Sequence, residues 1–231
     1  MKILLIAGHG AGDPGAIGNG YKEADLVREI VPRLKSKLAP YADVTVFDME
    51  KNPYKYLRTH SFNFKEYDYV LEVHFNAFNL KAKGVEILVH TSEKSVGVEN
   101  AILKRMEALG FTNRGVKKSS SLQNMNICKG KQGVSYALIE TCFIDNKEDM
   151  TLYNSKKADV INAIAEGIKQ GFKLSKVEQS EKTEPTSVEE IVGYLSGRGI
   201  ITNKELWIKK MADDGDVYWL ARKIVNHIAS L

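Results

Sequence analysis

The sequence predicts an α/β protein: a twisted, mostly parallel sheet flanked by helices, followed by a small all-α C-terminal module. Two observations carry the prediction. Through residue 174, short apolar runs alternate with longer segments of helical apolar spacing, the pattern of strands joined by crossing helices. The composition then breaks at 175–187, "SKVEQSEKTEPTS", and only helical patterns follow.

The strands expected in order are "KILLIA" (2–7), "VTVF" (44–47), "YVLEVHF" (69–75), "GVEILVH" (84–90) and "YALIET" (136–141). The helices between and after them are "EADLVREIVPRLKSKL" (23–38), "SVGVENAILKRMEALG" (95–110) and "KADVINAIAEGIKQGF" (157–172). Segment 175–187 holds one aliphatic residue and one Pro among Ser, Thr, Glu, Gln and Lys, and reads as a linker. It divides a catalytic-sized domain, 1–174, from a module at 188–231. In that module three short amphipathic helices are expected, opened by Ser187, Thr202 and Asp216 as caps. So short a segment buries little surface alone, so it forms a compact mini-domain, docks on the larger domain, or pairs with a copy of itself.

At 231 residues, 43% hydrophobic and 27% charged, the chain can bury one sizeable core and add an appendage. Its first apolar stretch, "ILLIAG", is far shorter than the ~20 residues of a membrane span and too short for a secretory signal. No membrane association is expected. Cys128 and Cys142 have no CxxC spacing and read as reduced thiols. Residues 1–175 carry 25 basic and 20 acidic side chains, net +5; residues 176–231 carry 8 and 9, net −1. The basic part suits an anionic polymer and equally serves solubility. The acidic balance of the tail argues against a nucleic-acid partner.

Chemistry concentrates in "IAGHGAGDPGAIGNGYKEADLV" (6–27), which holds one His, one Glu and six Gly. A phosphate cradle would need GxxxxGK[ST], which is absent. His9 lies just past the first strand, Glu23 opens the next helix, and His74 ends the strand at 69–75. Loops at the carboxyl ends of strands in such a sheet meet in one crevice. Two imidazoles and a carboxylate converging there suit zinc, with ligand distances of about 2.0–2.2 Å and the fourth position left to water. Glu140 ends a strand too apolar for an unpaired carboxylate, so it serves as metal ligand, general base or buried ion-pair partner. Loop-like Asp145 and Asn146 follow it.

Glu72, two residues before His74 on the same strand face, could hold an imidazole tautomer, although a surface carboxylate is the more ordinary role. Alternation places Cys142 on the side of Glu140, and it reads as buried and inert. His60, His90 and His227 lack supporting neighbours, though His90 could line the cleft.

Four pieces, "GHGAGDPGAIG", "KEADL", "EVHFNA" with "KGVEILV" shortly after, and "ALIETCFIDN", occur in this order over residues 1–173. Together they resemble the zinc-dependent N-acetylmuramoyl-L-alanine amidases of bacterial cell-wall hydrolases and phage endolysins. The resemblance implies one Zn²⁺ per chain on His9, Glu23 and His74, with Glu140 as catalytic acid and base. It gives Arg58 and Asn63 in "LRTHSFN" a structural role. It also implies cleavage in peptidoglycan of the amide joining N-acetylmuramic acid to L-alanine. Zinc would lower the pKa of its bound water to about 7 while Glu140 carries the water proton to the departing amine. "IAGHG" replaces the commoner Asp-Pro before the first His, and Thr-Cys follows Glu140 where small or apolar residues are usual; neither change touches a ligand.

With its short apolar start, the chain is expected to be a phage or prophage endolysin, made in the cytoplasm without a signal peptide and reaching the wall through a holin or cell lysis. The alternatives are a host sporulation or autolytic amidase, a zinc carboxypeptidase acting on stem peptides, and a non-catalytic wall-binding protein. Trp207, Tyr218 and Trp219 suit the tail to wall binding or to homo-oligomer assembly.

Overall fold

The computed structural model describes residues 1–176 and 187–229, with side chains described through residue 225. Residues 177–186 of the expected linker, and the side chain of His227, lie outside the described residues. The chain divides into two compact units, 1–177 and 178–231.

In the first unit, β1 (Lys2–Ala7) leads through a small hairpin, β2 (Ile17–Gly18) and β3 (Tyr21–Lys22), into α1 (Glu23–Leu38). There follow β4 (Asp43–Val46), α2 (Pro53–Thr59), a 3₁₀ turn (Phe64–Glu66), β5 (Tyr69–Asn76) and β6 (Val85–His90). Then come α3 (Gly97–Ala108), β7 (Asn113–Ser119), α4 (Gln123–Met125) continued by a π-helical turn (Asn126–Lys131), β8 (Ser135–Phe143), α5 (Lys147–Ser155) and α6 (Lys157–Phe172). The six-stranded sheet has the order β4-β1-β5-β8-β6-β7. β4, β1, β5 and β8 run parallel; β6 is antiparallel to β8 and parallel to β7.

All five expected strands form. β7, "NRGVKKS", was not foreseen: as an edge strand it need not be apolar, and lysines suit an exposed edge. β1 shows why the central strands read as continuous apolar runs. Ile3, Leu5 and Ala7 join one core with α1, α3 and α6, while Leu4 and Ile6 join a second, smaller core with Leu57, Phe64, Met125 and Tyr136.

Alternation on β8 holds only as far as Glu140. His74 pairs with Glu140 but Asn76 pairs with Phe143, so β8 carries one extra residue, a β-bulge. Tyr136 and Leu138 face the smaller core, whereas Cys142 and Ile144, beyond the bulge, are buried in the larger one. The expectation that Cys142 shares the side of Glu140 is thereby corrected, although Cys142 is buried as expected.

The second unit contains α7 (Val188–Gly197), α8 (Lys204–Asp213) and α9 (Gly215–Ala229) around Ile191, Val192, Leu195, Ile201, Met211, Ala221 and Val225. Ser187 and Glu190 form a reciprocal capping box on α7. The other caps fall elsewhere than expected. Asn203 rather than Thr202 accepts from Leu206 N–H at 3.0 Å, and Asp214 rather than Asp216 accepts from Asp216 N–H at 3.0 Å. Asn outranks Thr as a cap, and each acceptor stands at the right spacing before its donor. Trp207 and Tyr218 pack on this core, while Trp219, Leu220 and Ile224 are exposed. Among the described residues, no helix is long and apolar enough to cross a membrane.

Candidate active site

Beyond β1 the chain makes a left-handed turn, with φ of 60° at His9, 93° at Gly10, 46° at Ala11 and 84° at Gly12. Two of these residues carry a Cβ, and each such conformation costs on the order of 1–3 kcal/mol unless its surroundings hold it. The loop then returns to start α1: Glu23 N–H donates to Ala16 O at 2.9 Å and Ala24 N–H to Pro14 O at 3.0 Å. These bonds satisfy amides that a helix start leaves open and hold Glu23 on the inner side of the first turn. A Cβ on Gly15, at φ +67°, would lie 2.7 Å from both Glu23 Oε2 and His9 Cδ2, so only glycine fits between the two side chains.

Glu23 is buried and central. Its Oε1 accepts from Phe75 N–H at 2.9 Å and lies 2.8 Å from His74 Nδ1. Its Oε2 accepts from Ala16 N–H at 2.9 Å and lies 3.1 Å from His9 Nε2. The far side of each ring meets another carboxylate, His9 Nδ1 with Asp13 Oδ2 and His74 Nε2 with Glu72 Oε1, both at 3.0 Å. An ionised carboxylate only accepts, and a neutral imidazole has a single N–H, so the ring cannot satisfy the carboxylates on both of its sides. With the N–H of each neutral ring given to Asp13 or Glu72, the other nitrogen meets Glu23 acceptor to acceptor. A divalent cation resolves that conflict, and two ring nitrogens with one carboxylate form a donor set suited to zinc. One ligand atom from each of His9, Glu23 and His74 lies within 4.8 Å of the others.

Without a cation, protons do the same work. Burial alone would lower the pKa of His9, but its bonds to Glu23 and Asp13 outweigh burial and raise it. His74 is raised further, against burial, by Glu23 and Glu72. Burial would raise Glu23, yet the two imidazoles hold it far below the usual carboxylate range.

Glu72 is not a surface carboxylate: it is 3% exposed. Asn124 Nδ2 donates to its two oxygens at 3.2 and 3.0 Å, and the Tyr136 hydroxyl donates to Oε2. These partners compensate the charge of a carboxylate buried beside His74. Asp13 is held in the same way, by Asn52 Nδ2 at 3.0 Å and by Gly15 N–H at 3.0 Å.

Glu140 stands beside the cluster on β8, cross-strand from His74 on β5 and from Glu86 on β6. Its Oε2 is buried without a hydrogen-bond partner. Burial first, then the neighbouring Glu23 and Glu86, push its carboxyl up to about 7 despite His74. Glu86 is held ionised by ion pairs to Arg114 Nε and Lys117 Nζ, each at 2.6 Å, and accepts from Asn76 Nδ2 at 3.0 Å. A cleft of about 380 Å³ opens onto the cluster, lined by His9, Asn52, Tyr54, His74, Gln123 and Leu138 among others.

The remaining candidates stand apart from this cluster. Arg58 is exposed on α2, and Asn63 caps the 3₁₀ turn by accepting from Lys65 N–H at 3.2 Å. His60 stacks on Tyr56 with ring centroids 4.3 Å apart, and His90 bonds to Ser92 Oγ at 2.7 Å. Asp145 Oδ2 accepts from Phe78 and Leu80 N–H at 3.1 and 2.9 Å, and Asn146 caps α5. Sequence reasoning did not single out Asp13, Asn52, Asn124, Tyr136 or Glu86. Only Asp13 carried a local signal, an acid four residues after His9 inside the Gly-rich run.

Fold and site together define an α/β protein with a candidate mononuclear metal centre at the carboxyl ends of its parallel strands. The chain belongs to the N-acetylmuramoyl-L-alanine amidase family, whose model matches residues 3–170. It is 32% identical over 183 residues to the endolysin of Bacillus phage SPP1, covering 74% of this chain and 64% of that protein. It is 28% identical over 192 residues to "Probable autolysin PH" of Staphylococcus aureus, covering 74% of this chain and 38% of that protein. The chain thus spans less than two thirds of the length of either relative. Among solved structures, the catalytic domain of an endolysin targeting Clostridia Difficile matches with a TM-score of 0.61 and 27% identity, over 74% of this chain and 97% of that one.

Proposed function

We propose that this chain is a zinc-dependent peptidoglycan amidase that hydrolyses the amide between N-acetylmuramic acid and L-alanine. The observation that carries the reading is the pair of imidazoles, each with one ring nitrogen against an outer carboxylate and the other against a Glu23 oxygen, at 3.1 Å for His9 and 2.8 Å for His74, in a chain of this family. His9 Nε2, His74 Nδ1 and Glu23 would hold one Zn²⁺. The bound ion supplies Lewis acidity toward the amide carbonyl and makes water acidic enough to attack at neutral pH. Asp13 and Glu72 keep the ring protons on the outer nitrogens. Glu140, with a free oxygen and a carboxyl pushed up to about 7, suits a group that accepts the proton of the attacking water and returns it to the leaving amine. The cleft lined by Tyr54, Asn52 and Gln123 receives the muramyl peptide.

A lytic role in a phage or prophage, acting on the wall after release, is supported by the 32% identity to a phage endolysin. The unit beyond the linker at 175–187 targets the enzyme to wall polymer or assembles it into a homo-oligomer; the exposed Trp219, Leu220 and Ile224 support either role. The test is a digest of purified peptidoglycan followed by mass spectrometry. Stem peptides with a free L-alanine amine and intact glycan strands are expected, with loss of activity on chelation and recovery on adding zinc. Glu140→Gln should keep metal and lose about 10²–10⁴-fold in kcat. Cleavage within the stem peptide, or turnover of Glu140→Gln within a few-fold of wild type, would overturn the assignment.

A further inference from the structure

The strained turn that carries His9 needs an external hold, and one side chain supplies it. Arg28, half-buried on α1, spends its guanidinium entirely on main-chain carbonyls. Nη1 donates to Gly8 O at 2.9 Å and to Ala24 O at 3.2 Å; Nη2 donates to His9 O at 2.9 Å and to Met49 O at 3.1 Å; Nε donates to Met49 O at 3.2 Å. These five bonds match the five N–H donors that an arginine has. Such a half-buried cation aimed at carbonyls is already committed and is a poor anchor for an anionic ligand.

The choice of carbonyls matters. Gly8 O belongs to the peptide plane before His9 Cα, and His9 O to the plane after it. Holding both planes fixes φ and ψ of His9, and with them the direction of its Cα–Cβ bond. Asp13 then fixes the ring through Nδ1. Because Arg28 and Glu23 share α1, the same rigid element positions one proposed ligand directly and the other through its backbone. Gly10 belongs to the device: a Cβ there would lie 1.8 Å from Arg28 Nη2, at φ +93°. Lysine cannot replace the fork, because an ammonium is a single point with no planar pair of donors.

We infer that Arg28 is a positioning residue for the metal centre, clamping the left-handed turn so that His9 presents Nε2 toward Glu23. This rests on the reading of His9 as a ligand. Two measurements test it on the full chain. In metal-free protein, hydrogen exchange is followed at the Gly10 and Asp13 amides, which bond each other's carbonyls at 2.8 and 3.2 Å across the turn. Affinity for Co²⁺ alone is measured by visible absorption against a competing chelator. Arg28→Met and the milder Arg28→Lys should speed exchange of the two amides and weaken Co²⁺ binding about tenfold, the scale seen when a residue that orients a metal ligand is removed. Ile102→Val, in the core between α3 and α6, is the control for general destabilisation and should leave both readouts at wild-type values. If His9→Ala abolishes Co²⁺ binding while both Arg28 variants keep wild-type affinity and exchange, the clamp is overturned and the ligand reading stands. Equal loss in Ile102→Val also overturns the clamp. If His9→Ala itself binds Co²⁺ as wild type does, the ligand reading fails and the clamp with it.

Discussion

Changing Glu72 to Gln replaces one oxygen of a buried carboxylate with an NH₂ group and leaves its volume nearly unchanged. The structure gives the amide no good orientation. Asn124 Nδ2 donates to both Glu72 oxygens, so either way round an N–H meets an N–H. If the new nitrogen faces His74 Nε2, it forces the ring proton onto Nδ1, the nitrogen nearest Glu23. Losing one charge-assisted bond costs about 1.5–3 kcal/mol. In a chain of this size each kcal/mol is about 2–4 °C in Tm, so metal-free Glu72→Gln should melt about 3–12 °C below wild type. Zinc affinity should fall by about 10–100-fold, or about 1.4–2.7 kcal/mol, as when other partners of metal-bound imidazoles are removed. Calorimetry of the metal-free protein and competitive zinc titration read the two effects separately. Affinity within about twofold of wild type would refute the claim that Glu72 sets the tautomer of His74.

Stability should respond to pH in opposite ways with and without metal. His9 and His74 are raised above the ordinary histidine value of about 6.5. A raised pKa contributes stability below the unfolded value and loses it as pH climbs through the folded one, so the metal-free protein should lose Tm from about pH 6 upward. Zinc competes with those protons, so its affinity, and the Tm gain on adding it, should grow over the same window. Calorimetry across that range checks both; a metal-free profile unchanged by Glu23→Gln would contradict the assignment of the slope to this cluster. For the second unit, limited proteolysis should cut between Ser175 and Ser187. The released first unit should still cleave soluble muramyl peptides while losing wall affinity or multimer mass, measured by sedimentation with sacculi and by light scattering. Unchanged values of both would leave the second unit without the targeting or assembly role.

What the sequence disclosed follows from where each kind of information resides. α1 and α6 are found at their expected bounds because a sixteen-residue amphipathic pattern is a strong local signal. β7 escaped because an exposed edge strand need not be apolar. The convergence of His9, Glu23 and His74 was legible because each stands at or near a landmark of the fold, the end of a strand or the start of a helix. Glu72 was misread for the opposite reason. Whether water or protein covers a strand carboxylate depends on its partners, and here they are Asn124 and Tyr136, 52 and 64 residues away. The side of Cys142 was misassigned because no Gly or Pro in "IETCF" marks the bulge.

That bulge makes β8 a strand with two frames. Before it, Tyr136 and Leu138 face the smaller core and Ala137 and Ile139 the helix-packed one; after it, Cys142 and Ile144 reverse the parity. Apolar residues along the strand can therefore be exchanged within each frame, but the number of residues cannot change. A single deletion would merge the frames, either turning the Glu140 carboxylate into the larger core or pulling Cys142 and Ile144 out of it. Besides the chemistry that Tyr136 and Glu140 carry, this strand is held to a fixed length, a constraint that comes from counting.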